Sequence, residues 1–473
     1  MQNKASIMKA SFGIIGLGVM GKSIAINALN NNISVAVYNR ETKREVNVAQ
    51  EFVAAHSDKK VQGFSDLKDF VNALEMPRKI LIMVNAGNAV DHVIHGLLHF
   101  LSKEDIIIDG GNSHYQDTNR RISFLQAQNI HFIGLGISGG EEGALKGPSL
   151  MPGGDRKSYR KVAKILETIA AKDKNGKPCC EYIGNEGAGH FVKMVHNGIE
   201  YGDMQLLAEL YEILSKSKNY EEIAALFNEW NQTELSSYLL EITAQILQTK
   251  DDDVYVLDTI LDKAGNKGTG SWSSKAALEL GIPTTIKTGA VYARYISSFK
   301  EKREQLAVKT SNETIGELDV EALKEAYGFA RLLNLHQGFE LLKAASENYH
   351  WKLDFAEICR IWSNGCIIKS ELLQESIAVF YLHNSLLDNN DIVQKLAEQE
   401  TAVKTIVKYA LDNRLNIPCI SEAYSYWIMM TTKRTSANMI QAQRDFFGAH
   451  TFQKVNDSTQ KSYHYNWKAS WNK

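Results

Sequence analysis

Five side chains that can exchange protons or hydrogen bonds recur at helical spacing in the stretch HFVKMVHNGIEYGDM. They occupy positions i, i+3, i+4, i+7 and i+8 and are Lys193, His196, Asn197, Glu200 and Tyr201. On an α-helix this spacing defines one face, which is usually apolar where a helix packs on a core. An amine and a carboxyl group on one face can act as base and acid toward a bound ligand. The stretch therefore predicts a helix whose reactive face lines a cleft.

The elements that position this helix begin with alternating strand and helix patterns. Over the first ~185 residues, short apolar runs are each followed by glycine or polar residues and a helical pattern, which is typical of parallel βαβ units. Five runs predict buried strands: SFGII, SVAVY, KILIMV, DIIID and HFIG. From about Glu186 onward the pattern is helical, with almost no strand pattern. The sequence predicts a Rossmann-type doubly wound α/β domain followed by a large all-α domain.

The helical part contains segments that resemble each other. Segment 220–227 precedes the similar segment 355–362 by 135 positions, and Leu206-Leu207 precedes Leu341-Leu342 by the same distance. A constant offset favours a duplicated helical unit, and chance similarity between amphipathic helices is the alternative.

The C-terminal residues differ from both parts. Residues 444–473 are polar but contain seven aromatic side chains, which is too many for a typical disordered tail. A segment this short cannot bury them alone, so it is predicted to pack on something else. The predicted organisation is an α/β domain at 1–186, a helical domain at 187–443 and a tail at 444–473.

A glycine-rich motif follows the first predicted strand. Residues 16–21 read Gly-Leu-Gly-Val-Met-Gly and fit GxGxxG, and a helical pattern begins within them. In that context the glycines allow a tight turn and place the pyrophosphate of a dinucleotide at the helix N-terminus. A turn without a ligand is the alternative. The motif predicts a dinucleotide-binding site.

The end of the second predicted strand indicates which dinucleotide binds. It carries Asn39 and Arg40, where NAD enzymes usually place an acidic residue for the ribose hydroxyls. Arg40 can pair with a phosphate and stack on adenine. Glu41 opposes this, because a carboxylate beside a 2′-phosphate repels it. The pattern favours NADP over NAD.

Two further glycine-rich loops follow later strands, at residues 109–113 and 136–143. In an open α/β sheet, ligands bind outside the carboxyl ends of the strands, where such loops lie. Their backbone N–H groups can hold a carboxylate, and tight turns without ligands are the alternative.

Eight motifs, taken in order along the chain, resemble those of the 6-phosphogluconate dehydrogenase family. They are GLGVMG, NRE, GGNS, ISGGEEGA, KMVHNGIEYGDMQ, DKAGNKGTGSW, VYAR and RDFFGAHTF. The likeness covers essentially the whole chain. It implies oxidative decarboxylation of 6-phosphogluconate to ribulose 5-phosphate with NADP, a step of the pentose phosphate pathway. It also implies a homodimer whose tails are exchanged between the subunits.

The resemblance assigns roles to individual residues. Lys193 is implied as base and then acid, and Glu200 as the acid that protonates carbon 1 of an enediol; no metal is required, because the amine provides the electrophilic help. The implied cofactor contacts are Gly16, Gly18, Val19, Met20, Gly21, Asn39, Arg40, Glu41, Val84, Asn85, Ala86 and Asn112. The implied substrate contacts are Asn112, Ser138, Gly139, Gly140, His196, Asn197, Glu200, Tyr201, Lys267, Thr269, Arg294, Arg444 and His450.

The chain departs from the family pattern at four positions. Asn85 replaces the usual Lys in MVNAG, His114 replaces Glu after GGNS, Glu41 replaces Thr or Ser, and Ser271 replaces Lys in GTGKW. These changes bear on cofactor preference and affinity, and they leave the proposed acid and base intact.

Composition argues against several other classes. The net charge is −2 and there are no long runs of one sign, so the sequence shows no basic segment of the kind that binds nucleic acid or a membrane surface. No apolar run approaches the roughly 18 residues of a spanning helix, the N-terminus lacks a signal-type apolar core, and Met8 is an alternative start. Five scattered cysteines without CxxC spacing predict a reducing, cytoplasmic location.

A group of three histidines is a rival metal site. His92, His95 and His99 share a helix face, but apolar residues fill the opposite side, so the histidines are predicted to face solvent.

Two alternative functions are compatible with the sequence. The first alternative function is that of another β-hydroxyacid dehydrogenase, such as a 3-hydroxyisobutyrate type, although those lack the RDFFGAHTF tail. A catalytically idle NADP-binding regulator on the same fold is the second alternative, which Lys193 and Glu200 argue against.

Overall fold

The computed structural model describes residues 9–265, 268–307 and 316–467, so Met8 and Lys267 lie outside the described residues. The described residues up to Ala423 form one compact unit, and those from Tyr424 onward form a second.

Seven strands form a single sheet in the order β3-β2-β1-β4-β5-β6-β7. Their bounds are β1 Phe12–Ile15, β2 Val35–Tyr38, β3 Val61–Phe64, β4 Lys79–Ile82, β5 Ile106–Asp109, β6 His131–Ser138 and β7 Ser149–Gly154. Neighbouring strands are parallel, except that β7 runs antiparallel to β6. The predicted doubly wound domain is confirmed, and the five predicted strands are β1, β2, β4, β5 and β6.

Helices cover both faces of this sheet. They are α1 Val19–Asn30, α2 Val48–Ala55, α3 Leu67–Asn72, α4 Asn88–Leu98, α5 Tyr115–Gln126, α6 Gly140–Lys146 and α7 Arg156–Ile169. Successive strand side chains enter different cores: Ile14 packs with residues of α1 and α7, whereas Ile15 packs with residues of α3 and α4. Burial on both faces explains why the central strands are continuously apolar.

Among the described residues after the sheet, the regular elements are helices apart from a short hairpin, β8 Lys250–Asp251 with β9 Val254–Tyr255. The helices are α8 Ala188–Leu214, α9 Tyr220–Trp230, α10 Tyr238–Gln248, α11 Val256–Thr259, α12 Thr269–Leu280, α13 Thr285–Ser297, α14 Lys300–Leu306, α15 Val320–Asn348, α16 Phe355–Trp362, α17 Glu371–Leu382, α18 Asn390–Asp412, α19 Pro418–Thr431 and α20 Ala437–Gly448. A 3₁₀ turn at Leu386–Asp388 precedes α18. The predicted all-α part is confirmed.

The helix order repeats with the predicted offset. The long helices α8 and α15 are each followed by a short helix and a third helix, α9 and α10 in one case and α16 and α17 in the other. The N-caps of α9 and α16 are Asn219 and Asp354, 135 positions apart. Ser237 and Ser370, the N-caps of α10 and α17, pair with each other across an antiparallel bridge. Matching helices and caps favour a duplicated unit over chance similarity.

Within the described part of the chain, no helix combines the length and apolarity needed to cross a membrane. Among the same residues, no group of three or more His, Cys, Asp or Glu side chains is arranged to hold a metal ion. His92, His95 and His99 are exposed on α4 and the residue after it.

Candidate active site

The N-terminal half of α8 lies directly on the sheet because glycines face each other there. A Cβ atom on Gly136, near the carboxyl end of β6, would lie 2.6 Å from the Cβ of Lys193. A Cβ on Gly189 of α8 would lie 2.2 Å from the carbonyl oxygen of Met151. Only glycine permits such an approach of helix and strands. This packing brings Lys193 to the carboxyl ends of the strands, where ligands bind in this fold.

Lys193 and His196 form the buried centre of the reactive face. Lys193 Nζ lies 3.3 Å from His196 Nδ1, and His196 Nε2 lies 3.0 Å from Ser138 Oγ. Burial lowers the pKa of Lys193, while the Glu200 carboxylate partly opposes the shift. Burial and the neighbouring amine together hold the pKa of His196 well below its usual value. The Lys193 amine can therefore lose its proton more easily than the amine of an exposed lysine. The neighbouring His196 imidazole is neutral.

Glu200 lies one turn further along the same face. Its Oε2 is 3.7 Å from His196 Nδ1, and its side chain is 21% exposed. Burial raises the pKa of Glu200, although Lys193 and the Arg294 guanidinium act in the opposite direction. A carboxyl group with a raised pKa holds its proton closer to neutral pH, as a general acid must. The face thus carries a group that can act as a base beside a group that can act as an acid.

The C-terminal side of the reactive face meets a cation. The Arg294 guanidinium, on α13, lies 3.5 Å from the ring centroid of Tyr201. Arg294 Nη1 donates to the Gly265 carbonyl at 3.4 Å. Thr269 begins α12 next to this point, and a Cβ on Gly270 would lie 2.4 Å from the Tyr201 ring. The structure therefore brings Arg294 and the backbone at Thr269 to the predicted substrate face.

The loop after β6 lies against another side of the reactive face. Ser138 ends β6 and contacts His196 through its hydroxyl group. Gly139 and Gly140 follow with φ angles of 131° and 62°, which favour glycine. Asn197 is buried on α8 beside this centre. The residues of the predicted carboxylate loop and of the reactive helix are thus in contact.

The dinucleotide loop has the close packing that its glycines require. Gly16 has a φ of 96°, and a Cβ there would lie 2.5 Å from the Met83 carbonyl oxygen. A Cβ on Gly21 would lie 1.9 Å from the Gly16 carbonyl oxygen, whereas the space around Gly18 is open. Leu17 N–H donates to Asn39 Oδ1 at 3.0 Å, which ties this loop to the end of β2. The geometry fits a pyrophosphate approaching the start of α1, where Val19 and Met20 lie.

The neighbouring strand ends complete the cofactor side. Val84 lies under Gly16 and beside Gly111, so it joins the loops after β1, β4 and β5. Asn85, Ala86 and Asn112 are exposed at the tips of these loops. All the predicted cofactor residues therefore lie at the carboxyl edge of the sheet.

The predicted 2′-phosphate side is open to solvent. The Arg40 side chain is 77% exposed, and its Nε lies 3.8 Å from Glu45 Oε2. Glu41 is exposed in the same turn. A weak, exposed ion pair of this kind leaves the guanidinium available to a phosphate.

Arg444 and His450 lie in the second compact unit and are exposed there. This unit is organised around the buried carboxylate of Asp445. That carboxylate accepts hydrogen bonds from Thr451 N–H at 3.0 Å and Trp467 Nε1–H at 2.8 Å. Several of its aromatic side chains stay exposed, Phe447 to 73%.

Three residues of this region, Trp362, Arg121 and His190, were not predicted from the sequence, and a fourth, Asp109, was predicted only as part of a glycine-rich loop. The Trp362 ring packs edge-on against His196 with centroids 5.4 Å apart. Asp109, Arg121 and His190 form a buried hydrogen-bonded group beneath the cofactor loops. His190 precedes Lys193 by three positions, so the helical spacing itself signals that it shares the reactive face.

Two family models match consecutive parts of the chain. The model of the NAD binding domain of 6-phosphogluconate dehydrogenase matches residues 11–184, and that of the 6-phosphogluconate dehydrogenase C-terminal domain matches residues 189–467. Together they span almost the whole sequence.

Curated relatives and a solved structure agree with these models. The chain is 45% identical over 475 residues to 6-phosphogluconate dehydrogenase, decarboxylating, of Lactococcus lactis, which covers 97% of this chain and 99% of the relative. It is 46% identical to the NADP(+)-dependent, decarboxylating enzyme of Bacillus subtilis, with coverages of 94% and 97%. The structure of Plasmodium falciparum 6-phosphogluconate dehydrogenase aligns with a TM-score of 0.89, at 37% identity over 97% of this chain and all of that one. The chain belongs to the 6-phosphogluconate dehydrogenase family.

Proposed function

We propose that the chain oxidises and decarboxylates 6-phosphogluconate to ribulose 5-phosphate and carbon dioxide, with NADP as the oxidant. The observation that carries this proposal is the buried pairing of Lys193 with His196 at 3.3 Å, one turn from Glu200. The relatives span this chain to its C-terminal part, which favours this function over that of another β-hydroxyacid dehydrogenase.

The chemistry begins with Lys193 as base. NADP, when bound, supplies the hydride acceptor, and the glycine loop at 16–21 fits its pyrophosphate. Lys193 takes the proton of the carbon 3 hydroxyl group as the hydride leaves, and its lowered pKa suits that role. The product is a β-keto acid, which loses carbon dioxide readily. The protonated amine then donates a hydrogen bond to the carbonyl oxygen while negative charge develops there.

The protonated Lys193 amine gives its proton to that carbonyl oxygen, which yields an enediol. Glu200 completes the reaction by protonating carbon 1 of this enediol, while the neutral amine takes the proton of the carbon 2 hydroxyl group and the ketone forms. His196 and Asn197 orient the substrate, and Asn112 with the loop of Ser138, Gly139 and Gly140 holds its carboxylate. The raised pKa of Glu200 supports a proton donor at this position.

Replacing Glu200 by glutamine is expected to slow overall turnover and to impair uptake of solvent deuterium at carbon 1 of ribulose 5-phosphate. The amide has the same shape but cannot donate the proton as the acid does. Mass spectrometry follows the rate at which ribulose 5-phosphate, incubated with the enzyme in deuterium oxide, takes up deuterium at carbon 1. An undiminished exchange rate would exclude Glu200 as the donor.

The substrate phosphate carries roughly −1.5 to −2 charge and needs cations. Tyr201, Lys267, Thr269 and Arg294 supply one side of the clamp in this proposal. Arg444 and His450 supply the other side from the partner subunit of a homodimer. The exposed aromatic side chains of the second unit support an interface there, since such surfaces usually mark protein contacts.

The predicted division at 186 and 443 stays a proposal for how the subunit is organised, with residues 444–473 as the exchanged tail. A cytoplasmic location is part of the same proposal. All five cysteines are free and buried, as structural thiols in a reducing compartment would be.

Arg40→Glu is expected to raise the KM for NADP about ten- to a hundredfold while changing the KM for NAD far less. A charge-assisted contact to the 2′-phosphate contributes about 1.5–3 kcal/mol, and NAD has no such phosphate. Lys60→Glu makes the same charge change at another exposed position of this domain and serves as the control. Equal effects of Arg40→Glu on both cofactors would place the phosphate elsewhere.

An assay of NADPH absorbance tests the proposed function. The chain is expected to reduce NADP with 6-phosphogluconate and not with 3-hydroxyisobutyrate. The opposite preference would favour the other β-hydroxyacid dehydrogenase type. Binding of NADP without reduction by either compound would favour the idle regulator.

A further inference from the structure

A buried guanidinium joins the loops on the cofactor side. The Arg121 side chain, on α5, is 1% exposed. Its Nε donates to Asp91 Oδ1 at 2.9 Å, and its Nη2 donates to the Gly87 carbonyl at 2.9 Å. The hydrogen bond from Arg121 is the largest cause that lowers the pKa of Asp91 to about 2. Gly87 directly follows the tip that carries Asn85 and Ala86, so Arg121 fixes the loop after β4.

The same guanidinium fixes the loop after β5. Arg121 Nη1 donates to Asp109 Oδ2 at 3.2 Å and to Ser113 Oγ at 3.3 Å. The fully buried Asp109 carboxylate also accepts from Gly111 N–H at 3.1 Å and from the Ser113 hydroxyl at 2.6 Å. These bonds hold the residues on either side of Asn112, which is itself exposed. One side chain therefore sets the spacing of two loops that are predicted to touch the cofactor.

His190 connects these loops to the reactive helix. Its Nε2 lies 3.1 Å from the Asp109 carbonyl oxygen, and its Nδ1 lies 2.6 Å from Thr118 Oγ1. Because a carbonyl only accepts, Nε2 carries the proton and Nδ1 accepts from the threonine hydroxyl. Burial lowers the pKa of His190, so the ring stays neutral. His190 precedes Lys193 by one turn of α8, which completes a continuous link from both loops to the amine.

We propose that Arg121, Asp109 and His190 are positioning residues that hold the cofactor loops at a fixed distance from Lys193. The inference rests on the proposed function and deepens it, because it concerns the approach of the two reactants in hydride transfer. Small errors in such an approach slow the reaction steeply. Loss of a link is therefore expected to weaken NADP binding and slow hydride transfer, with a smaller increase in the KM for 6-phosphogluconate, because Asn112 is the one residue of these loops predicted to contact both ligands.

The same sheet offers a matched control. Arg78 is also buried, and its Nη1 donates to the buried Asp105 at 2.8 Å, with a further bond from Nε to the Val71 carbonyl at 3.0 Å. Arg78 and Asp105 precede β4 and β5, whereas Asp109 ends β5. The two ion pairs thus lie at opposite ends of the same strands, and only the Arg121 pair is at the cofactor edge.

The test compares Arg121→Lys with Arg78→Lys. Each replacement removes a guanidinium fork from a buried aspartate, so both variants are expected to unfold at lower urea concentration. Only Arg121→Lys is expected to weaken NADP binding about tenfold and to lower kcat about as much. With substrate deuterated at carbon 3, its isotope effect on kcat should be at least as large as in the wild type. That combination identifies hydride transfer as the slowed step, which a purely structural defect does not do.

A second pair of variants decides the case if Arg121→Lys does not fold. His190→Gln keeps a donor near Nε2 and is expected to retain most of the wild-type kcat, whereas His190→Leu is expected to lose most of it. Equal kcat and equal NADP affinity in Arg121→Lys and Arg78→Lys, or a smaller isotope effect in Arg121→Lys, would overturn the inference. NADP affinity is measured by titration without substrate. If the wild-type chain proves inactive, the proposed function is refuted. The NADP titration would still distinguish the two arginine variants and so would still test the positioning role.

Discussion

Lys193→Met is expected to lower kcat by ~10³-fold or more while NADP binding and folding stay intact. General base catalysis alone accelerates a reaction ~10²–10⁴-fold, and the Lys193 amine is proposed to act twice, as base and then as acid. The matching measurement is steady-state NADPH formation, with cofactor affinity measured by separate titration. Retention of more than about a tenth of wild-type turnover would contradict the role of Lys193.

Lys287 provides the matched control for this substitution. It lies on α13, is 1% exposed, and within the described residues its amine has no hydrogen-bond partner. Burial lowers its pKa to about 7, so it shares the electrostatic environment of a desolvated lysine. It is absent from the reactive face of α8. Lys287→Met is expected to keep kcat near the wild-type value, because a lowered pKa without that position does not make a base.

Mixing two inactive variants is expected to restore activity if the site is shared between subunits. Lys193→Met and Arg444→Ala are unfolded together in equal amounts and refolded. Half of the dimers then contain one chain of each kind, and one of their two sites carries both wild-type residues. Activity is expected to return to about a quarter of the wild-type value. The other site of each mixed dimer carries both defects and stays inactive.

The matching control refolds each variant alone. A mixture no more active than the sum of these two samples would place Arg444 in the site of its own subunit, or outside any site. Analytical ultracentrifugation of the mixture confirms that dimers have formed. An inactive mixture of well-formed dimers would therefore count against exchange of the tails, and the failure could not be assigned to poor assembly.

Most of the sheet could be predicted because central parallel strands are buried on both faces. Ile106, Ile107 and Ile108 of β5 are all fully buried, and such a run is visible in the sequence. The strands that were missed are the two edges. β7 contains Pro152 and two glycines, which normally argue against a strand but are tolerated at an edge. β3 is half-buried and contains Gln62 and Gly63, so its apolar pattern is weak.

The reactive face of α8 was predictable for a local reason, since helical spacing alone places Lys193 and Glu200 together. The contacts that hold this face in position join residues far apart in the sequence. His190 reaches Thr118 across 72 positions, and Trp362 packs on His196 from another helix. No local pattern marks such pairs. Their partners are fixed by the packing of α8 on the sheet through glycines, which only the structure displays.

The ratio of carbon dioxide to NADPH tests the central claim most directly. Purified chain is supplied with NADP and with 6-phosphogluconate labelled at carbon 1, and the two products are measured in the same sample. We expect one molecule of labelled carbon dioxide for each NADPH, because Lys193 is proposed to assist oxidation and decarboxylation in turn. NADPH formed without labelled carbon dioxide, or no NADPH at all, would contradict it.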